Sequence, residues 1–313
     1  MKTRNRGVAL EKKVSVWSKM YKSRYVYMLF LPVLAWYILF CYVPMYGIVI
    51  AFKDYNLFTG IADSPWVGFK HFQQFFESMF FGRLVRNTFL ISFYGLIFGF
   101  PAPILLAVLF NELKNGLFKK VVQTISYLPH FISTVIIVSM FVSFLSPNGG
   151  LINNLITVFG GKSIYFLGDP KYFRTIYTVM GIWQGVGWGT IIYLAALAGI
   201  NTELYEAAII DGCNRFKQTI HVTLPGIAST IIIMLIFRVG ALLSVGSDSI
   251  ILMYNPAIYE TADVISTYVY RRGLIEAQYS FGAAVGLFNA VIGIALISIT
   301  NTLAKRYSET SLW

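Results

Sequence analysis

Arg238 is the one charge set deep in a long apolar stretch, Gly226–Val245. A charge at the centre of a bilayer costs about 2.5–3.5 kcal/mol on insertion scales, so this side chain must face protein or water rather than lipid. Two roles fit it equally: contact with the hydroxyls or carboxylates of a passing solute, or structural pairing with a backbone carbonyl or another subunit. In a second apolar stretch Gly181, Gln184, Gly185 and Trp188 share one helical face, with Trp183 adjacent. An indole beside an amide suits sugars, whose C–H faces pack on the ring while their hydroxyls seek hydrogen bonds. Small residues in such a stripe more often serve close helix packing. Gly282, Gly286, Asn289 and Gly293 repeat the pattern, and there packing is preferred, with Asn289 as an interhelical hydrogen bond. His130, just after Pro129, reads as a satisfied polar group with a weaker claim to the same path.

Catalytic constellations are missing from the sequence. It has no Gly-x-Ser-x-Gly elbow, no His-Glu-x-x-His and no close carboxylate pair within an apolar stretch. Gly161-Lys162-Ser163 resembles the end of a phosphate-binding loop, but Ile156 stands where that motif needs glycine. His71, His130 and His221 lack ligand spacing, so no metal is expected, and Cys41 and Cys213 are expected to remain unpaired. The acidic residues fall in tails, loops or segment ends, with Asp248 nearest to an exception, which argues against a proton-coupled carrier.

The elements that must hold these residues are membrane helices. Hydrophobic residues make up 57% of the chain and charged ones 12%, outside the range of soluble domains. Apolar runs near 26–52, 88–110, 123–145, 175–200, 226–245 and 280–303 are each long enough to span. Pro32 and Pro44 are expected to bend the first, Pro101 and Pro103 the second. The expected fold is therefore an all-α membrane protein of six transmembrane helices, with a basic tail at 1–25 and a transmembrane domain at 26–313. The tail carries Lys2, Arg4, Arg6, Lys12, Lys13, Lys19, Lys22 and Arg24 against Glu11 alone. Lys114, Lys119 and Lys120 in the next turn on that side, and Lys305 and Arg306 after the last run, set both termini in the cytoplasm by the positive-inside rule. The net charge of +11 sorts by membrane side instead of gathering on one face, so no nucleic-acid partner is expected.

Residues 201–225 form a polar island between two apolar runs, on the same cytoplasmic side. The spacing predicts two short helices. Thr202 caps the first, Glu203 and Glu206 sit near its positive end, and Gly212 stops it. Asn214 caps the second, whose Phe216, Ile220 and Leu224 recur along one face, and Pro225 redirects the chain. Such a knob suits a groove on a soluble partner, though an ordinary connector has the same periodicity.

Glu206-Ala207-Ala208, Gly212 and Ile220 through Pro225 resemble the "EAA" loop of ABC importer permeases. The likeness extends over Tyr42 to Asp54, Asn87-Thr88, Asn111-Glu112-Leu113, Gln123 to Phe131 and the tail Ser308 to Trp313. These are similar to the permeases of maltose-type sugar importers, in the branch that takes up complex oligosaccharides, including alginate-type systems. Cys213 departs mildly from the pattern, which usually has a small residue such as alanine there. The resemblance implies a type I importer permease fold in the cytoplasmic (inner) membrane. It makes 201–225 the coupling loop, with Glu203, Glu206, Ala207, Ala208, Asp211, Gly212, Arg215, Phe216, Leu224 and Pro225 against the ATPase. It also implies a second homologous permease, two ATP-binding subunits that hold ATP and Mg, and an extracytoplasmic solute-binding protein delivering sugar. Arg238, Trp183, Gln184, Trp188 and Asn289 are then candidates for the substrate path. This chain itself is expected to bind no cofactor and to perform no catalysis, moving its substrate by alternating access. Import of another solute class, such as amino acids or peptides, and a scaffold without transport are the rival readings.

Overall fold

Four helices in the computed structural model are long and apolar enough to cross a membrane, and two sharply bent helix pairs raise the number to as many as six. The structure describes residues 21–114, 116–243 and 245–307; most of the basic tail and Ser308–Trp313 lie outside the described residues. Every regular element among them is helical, apart from isolated bridges at Lys53–Trp66 and Asn56–Gly60.

The chain divides between Val49 and Ile50. The first unit carries most of α1, Arg24–Phe52. None of its residues from Arg24 to Tyr37 is buried. Arg24 lies over the rings of Tyr21 and Tyr25, at 4.9 and 4.6 Å. A helix apolar on all sides, left uncovered by the described residues of its own unit, is built for a lipid or protein environment.

The second unit is built on α3 (Phe81–Glu112), α6 (Pro170–Ala198) and α10 (Tyr279–Tyr307), after the short α2 (Lys70–Phe76). Small residues set the contacts. On α6 a Cβ at Gly189 would meet Pro103 of α3, and one at Gly187 would collide with the Ser126 carbonyl. That carbonyl belongs to α4 (Leu117–Phe131), which bends by 100° into α5 (Thr134–Phe144), so the expected run 123–145 is a sharply bent helix pair rather than one continuous helix. Pro129 and the short 3-10 turn at Leu128–Phe131 make the break, and Ser133 caps the new helix through the Ile136 amide.

Three π-helical turns share one cause. Ile38–Tyr42, Gly95–Gly99 and Thr219–Thr223 are each followed by one residue and then a proline: Pro44, Pro101 and Pro225. Proline supplies no N–H and its ring crowds the carbonyl four residues back; the chain answers with an i+5 bond, as from Phe100 N–H to Gly95 O at 3.0 Å. The prolines therefore widen α1 and α3 without breaking them.

Candidate functional site

α6 positions the centre of a cavity of about 1010 Å³. Gly181, Gln184, Gly185 and Trp188, the predicted stripe, all line it; Ile91, Ser92, Gly95 and Gly99 of α3 form the facing wall. Arg238 enters from α9 (Ala228–Gly240), which follows α8 (Arg215–Gly226) at a bend of 63°. It lies in the last turn of α9, because the helix stops at Gly240 rather than running on to 245. The carbonyl-rich end of a helix favours a cation there. A Cβ on Gly95 would lie 2.7 Å from the Arg238 guanidinium, so that glycine opens the notch holding it. Ser92 donates to the Leu242 carbonyl and ties the same two walls together.

Among the described residues no carboxylate pairs with Arg238: Asp54, Glu112, Asp169, Asp263 and Glu276 are taken by other cations. Trp188 stacks on His130, with centroids 4.5 Å apart and planes 3° from parallel, and Phe131 meets it edge-on. His130 thus covers one face of the indole. Trp183 lies outside the cavity and packs on Phe141. Asn289 lies outside it too. Its Oδ1 is buried without a hydrogen-bond partner among the described residues, so the expected interhelical bond is not made there. In that stripe a Cβ on Gly282 would meet Gly273 and one on Gly293 the Gly240 carbonyl, while one on Gly286 would point into open space.

The 201–225 loop folds as two helices, α7 (Thr202–Ile210) and α8. Its first cap is Asn201, whose Oδ1 accepts from the Glu203 amide at 3.0 Å; Thr202 is the first helical residue instead. Gly212 ends α7 with φ +76°, and Asn214 caps the next helix through the Lys217 amide. The turn direction changes at Ile227, past Pro225. Tyr205 bonds Thr223 at 3.0 Å, Gln218 bonds the Cys213 carbonyl at 2.9 Å, and Arg215 reaches Glu112 at the end of α3 at 3.2 Å. So braced, the knob exposes Glu203, Glu206, Ala207, Asp211, Gly212, Arg215, Phe216 and Pro225, while Ala208 is buried and Leu224 packs inward. Ile209, Ile210 and Phe216 add exposed apolar surface.

Sequence reasoning missed a buried ionic hub. Asp263, fully buried, accepts from Arg271 at 3.0 Å, Arg83 at 3.3 Å and Thr267 at 2.9 Å. Burial works against the Arg271 charge, but the bond to Asp263 and its field outweigh this and hold its pKa above the usual arginine value. Beside the hub, buried Asn87 donates to the Glu260 and Asp263 carbonyls and accepts from Arg174, and Thr88 accepts from the Ile265 amide. The only signal in the sequence was a run of both charges between 246 and 277.

The family model for binding-protein-dependent transport system inner membrane components matches residues 99–309. The chain belongs to this family. The permease is 45% identical to the Bacillus subtilis polygalacturonan/rhamnogalacturonan transport system permease protein YteP, over 97% of this chain and 94% of that one. It is 43% identical to protein LplB of the same organism, over 96% and 95%. Among solved structures it resembles a chain of a bacterial ABC transporter that imports the acidic polysaccharide alginate, with a TM-score of 0.86, 44% identity and 93% and 98% coverage. It also resembles a chain of a bacterial alginate ABC transporter in complex with an alginate pentasaccharide-bound periplasmic protein, with a TM-score of 0.87, 43% identity and 95% and 99% coverage. The permease is thus a transport component of an ABC importer and not an enzyme.

Proposed function

We propose that this permease moves acidic oligosaccharides or polysaccharide fragments from an extracytoplasmic solute-binding protein into the cytoplasm by alternating access. The observation that carries the reading is the cavity that joins the Arg238 guanidinium, which has no carboxylate partner among the described residues, to the amide of Gln184 and the ring of Trp188. A uronate needs those three things together: a cation for its carboxylate, an amide for its hydroxyls and an indole for its C–H face. The polygalacturonan and alginate systems of its relatives support the same substrate class.

In this reading each bent pair is one span, giving six, with both termini and the 201–225 knob in the cytoplasm. The chain pairs with a homologous permease, and the knob seats Glu206, Ala207 and Gly212 in one of two ATP-hydrolysing subunits, which hold ATP and Mg. ATP closure there moves α8, and through the Ile227 bend it moves α9, which carries Arg238. Trp183 and Asn289, which lie outside this cavity, serve packing or the partner permease. The test is uptake of trigalacturonate by vesicles holding the complete assembly. Glu206→Lys is expected to abolish ATP-driven uptake while the chain still inserts and binds sugar; unchanged uptake and unchanged sugar-stimulated ATP hydrolysis would rule the coupling role out.

A further inference from the structure

Tyr270–Ile275 is the fourth π-helical turn among the described residues, and no proline follows it. Three departures from relaxed geometry gather at this one wall. The turn has an inserted residue without a local cause. Ala277 takes φ +55°, the left-handed region that glycine normally occupies. Arg272 gives Nη1 to Glu276 at 2.7 Å, lies over the Phe281 ring and, like Arg83 and Arg174, buries an Nε with no hydrogen-bond partner among the described residues. Local strain and unsatisfied buried donors cluster where a fold serves a ligand. The wall faces a cleft of about 730 Å³, separate from the Arg238 cavity, whose other side is α2.

The chemistry of the cleft is that of sugar recognition. Phe80 and Tyr279 offer ring faces, and Gln74, Gln278 and Ser78 offer hydrogen-bonding groups. Its two cations are already matched, Lys70 to Asp54 at 2.9 Å and Arg272 to Glu276. With both cations matched and Glu77 a further carboxylate in the lining, the cleft reads hydroxyls and C–H faces rather than an anion. The size suits one or two pyranose rings. We propose that this cleft is a second saccharide site, on the face that the topology proposed above places outside, which holds part of the chain being imported and is indifferent to its carboxylates. The inference rests on the saccharide reading and extends it to a place that does not use Arg238.

The test uses the assembled importer in lipid nanodiscs without the solute-binding protein, probed by saturation-transfer NMR with trigalacturonate and its carboxyl-reduced, neutral trisaccharide. Both are expected to bind, the neutral sugar within about threefold of the acidic one at this site, and Gln74→Leu and Gln278→Leu are each expected to weaken the neutral sugar about tenfold. Melting midpoints check that both cleft variants fold. The proposal is overturned if the neutral trisaccharide does not bind, or if its binding ignores both glutamines. A second measurement adds the solute-binding protein, and the proposal is equally overturned if the glutamine variants spare the sugar but loosen attachment of that protein, since the cleft would then be a protein-docking surface. Failure of the import reading shows elsewhere, as absent ATP-driven uptake of trigalacturonate.

Discussion

Arg271 and Arg238 are the same side chain in opposite circumstances. Arg271 meets a fully buried carboxylate that it shares with Arg83, and Tyr254 takes a further bond at 3.3 Å. Arg238 opens into a large cavity, faces a glycine notch and has no counter-charge among the described residues. The first arrangement draws its carboxylate from the chain itself, so the free energy of that pairing is realised on folding. The second is left incomplete, so its interaction energy is available to whatever anion enters. In the proposed reading the satisfied cation belongs to the frame and the unsatisfied one to the path.

Three measurements can break or sharpen that contrast. The largest effect is expected at the hub. Asp263→Ala leaves two guanidinium groups facing one another without their carboxylate and is expected to cost about 3–5 kcal/mol, the usual penalty for removing one partner of a buried pair. Denaturation of the detergent-solubilised chain measures it; a loss under about 1 kcal/mol would mean that the hub is not integral to the frame. Arg238→Met is expected to do the reverse, changing stability by no more than about 0.5 kcal/mol, as surface substitutions do. Its KM for trigalacturonate should nonetheless rise at least about tenfold, with the neutral trisaccharide little affected. Equal losses for both sugars would reassign Arg238 to structure. The smallest effect concerns Lys70–Asp54, a half-exposed pair at 2.9 Å. The Lys70 hydrogen bond holds the Asp54 carboxyl below its ordinary 3.8, so the pair's contribution is present above that pH and lost as pH falls through the lowered value. Exposed pairs contribute about 0.2–1 kcal/mol. Lys70→Met should therefore flatten only a few tenths of the acid limb of an unfolding profile below about pH 4.

Much of the cavity was readable because helical periodicity is local. Gly181, Gln184, Gly185 and Trp188 share a face in any helix, and all four line the cavity. Trp183, one residue before Gln184, turns away to Phe141. The Asn214 cap and the Gly212 stop were legible for the same reason, since each acts on the turn it adjoins. What could not be read depends on distant partners. Asp263 lies 180 positions from Arg83, and no pattern along the chain couples them. The 100° bend at Pro129 had only its proline as a sign, and prolines at Pro44 and Pro101 produce a π turn instead of a break.

By itself the sequence determined that the chain is helical and apolar enough for a membrane, where its helices turn polar, and that 201–225 stands out as a capped polar island. Composition, periodicity and capping are properties of neighbouring residues, so they survive without knowledge of the fold. The tertiary structure alone decided which arginines have partners and which prolines break a helix. It also decided that Gly95 makes room for Arg238 and that a strained turn borders a second cleft. Each of those is a relation between surfaces brought together by packing, and its energy depends on distances that chain order does not contain.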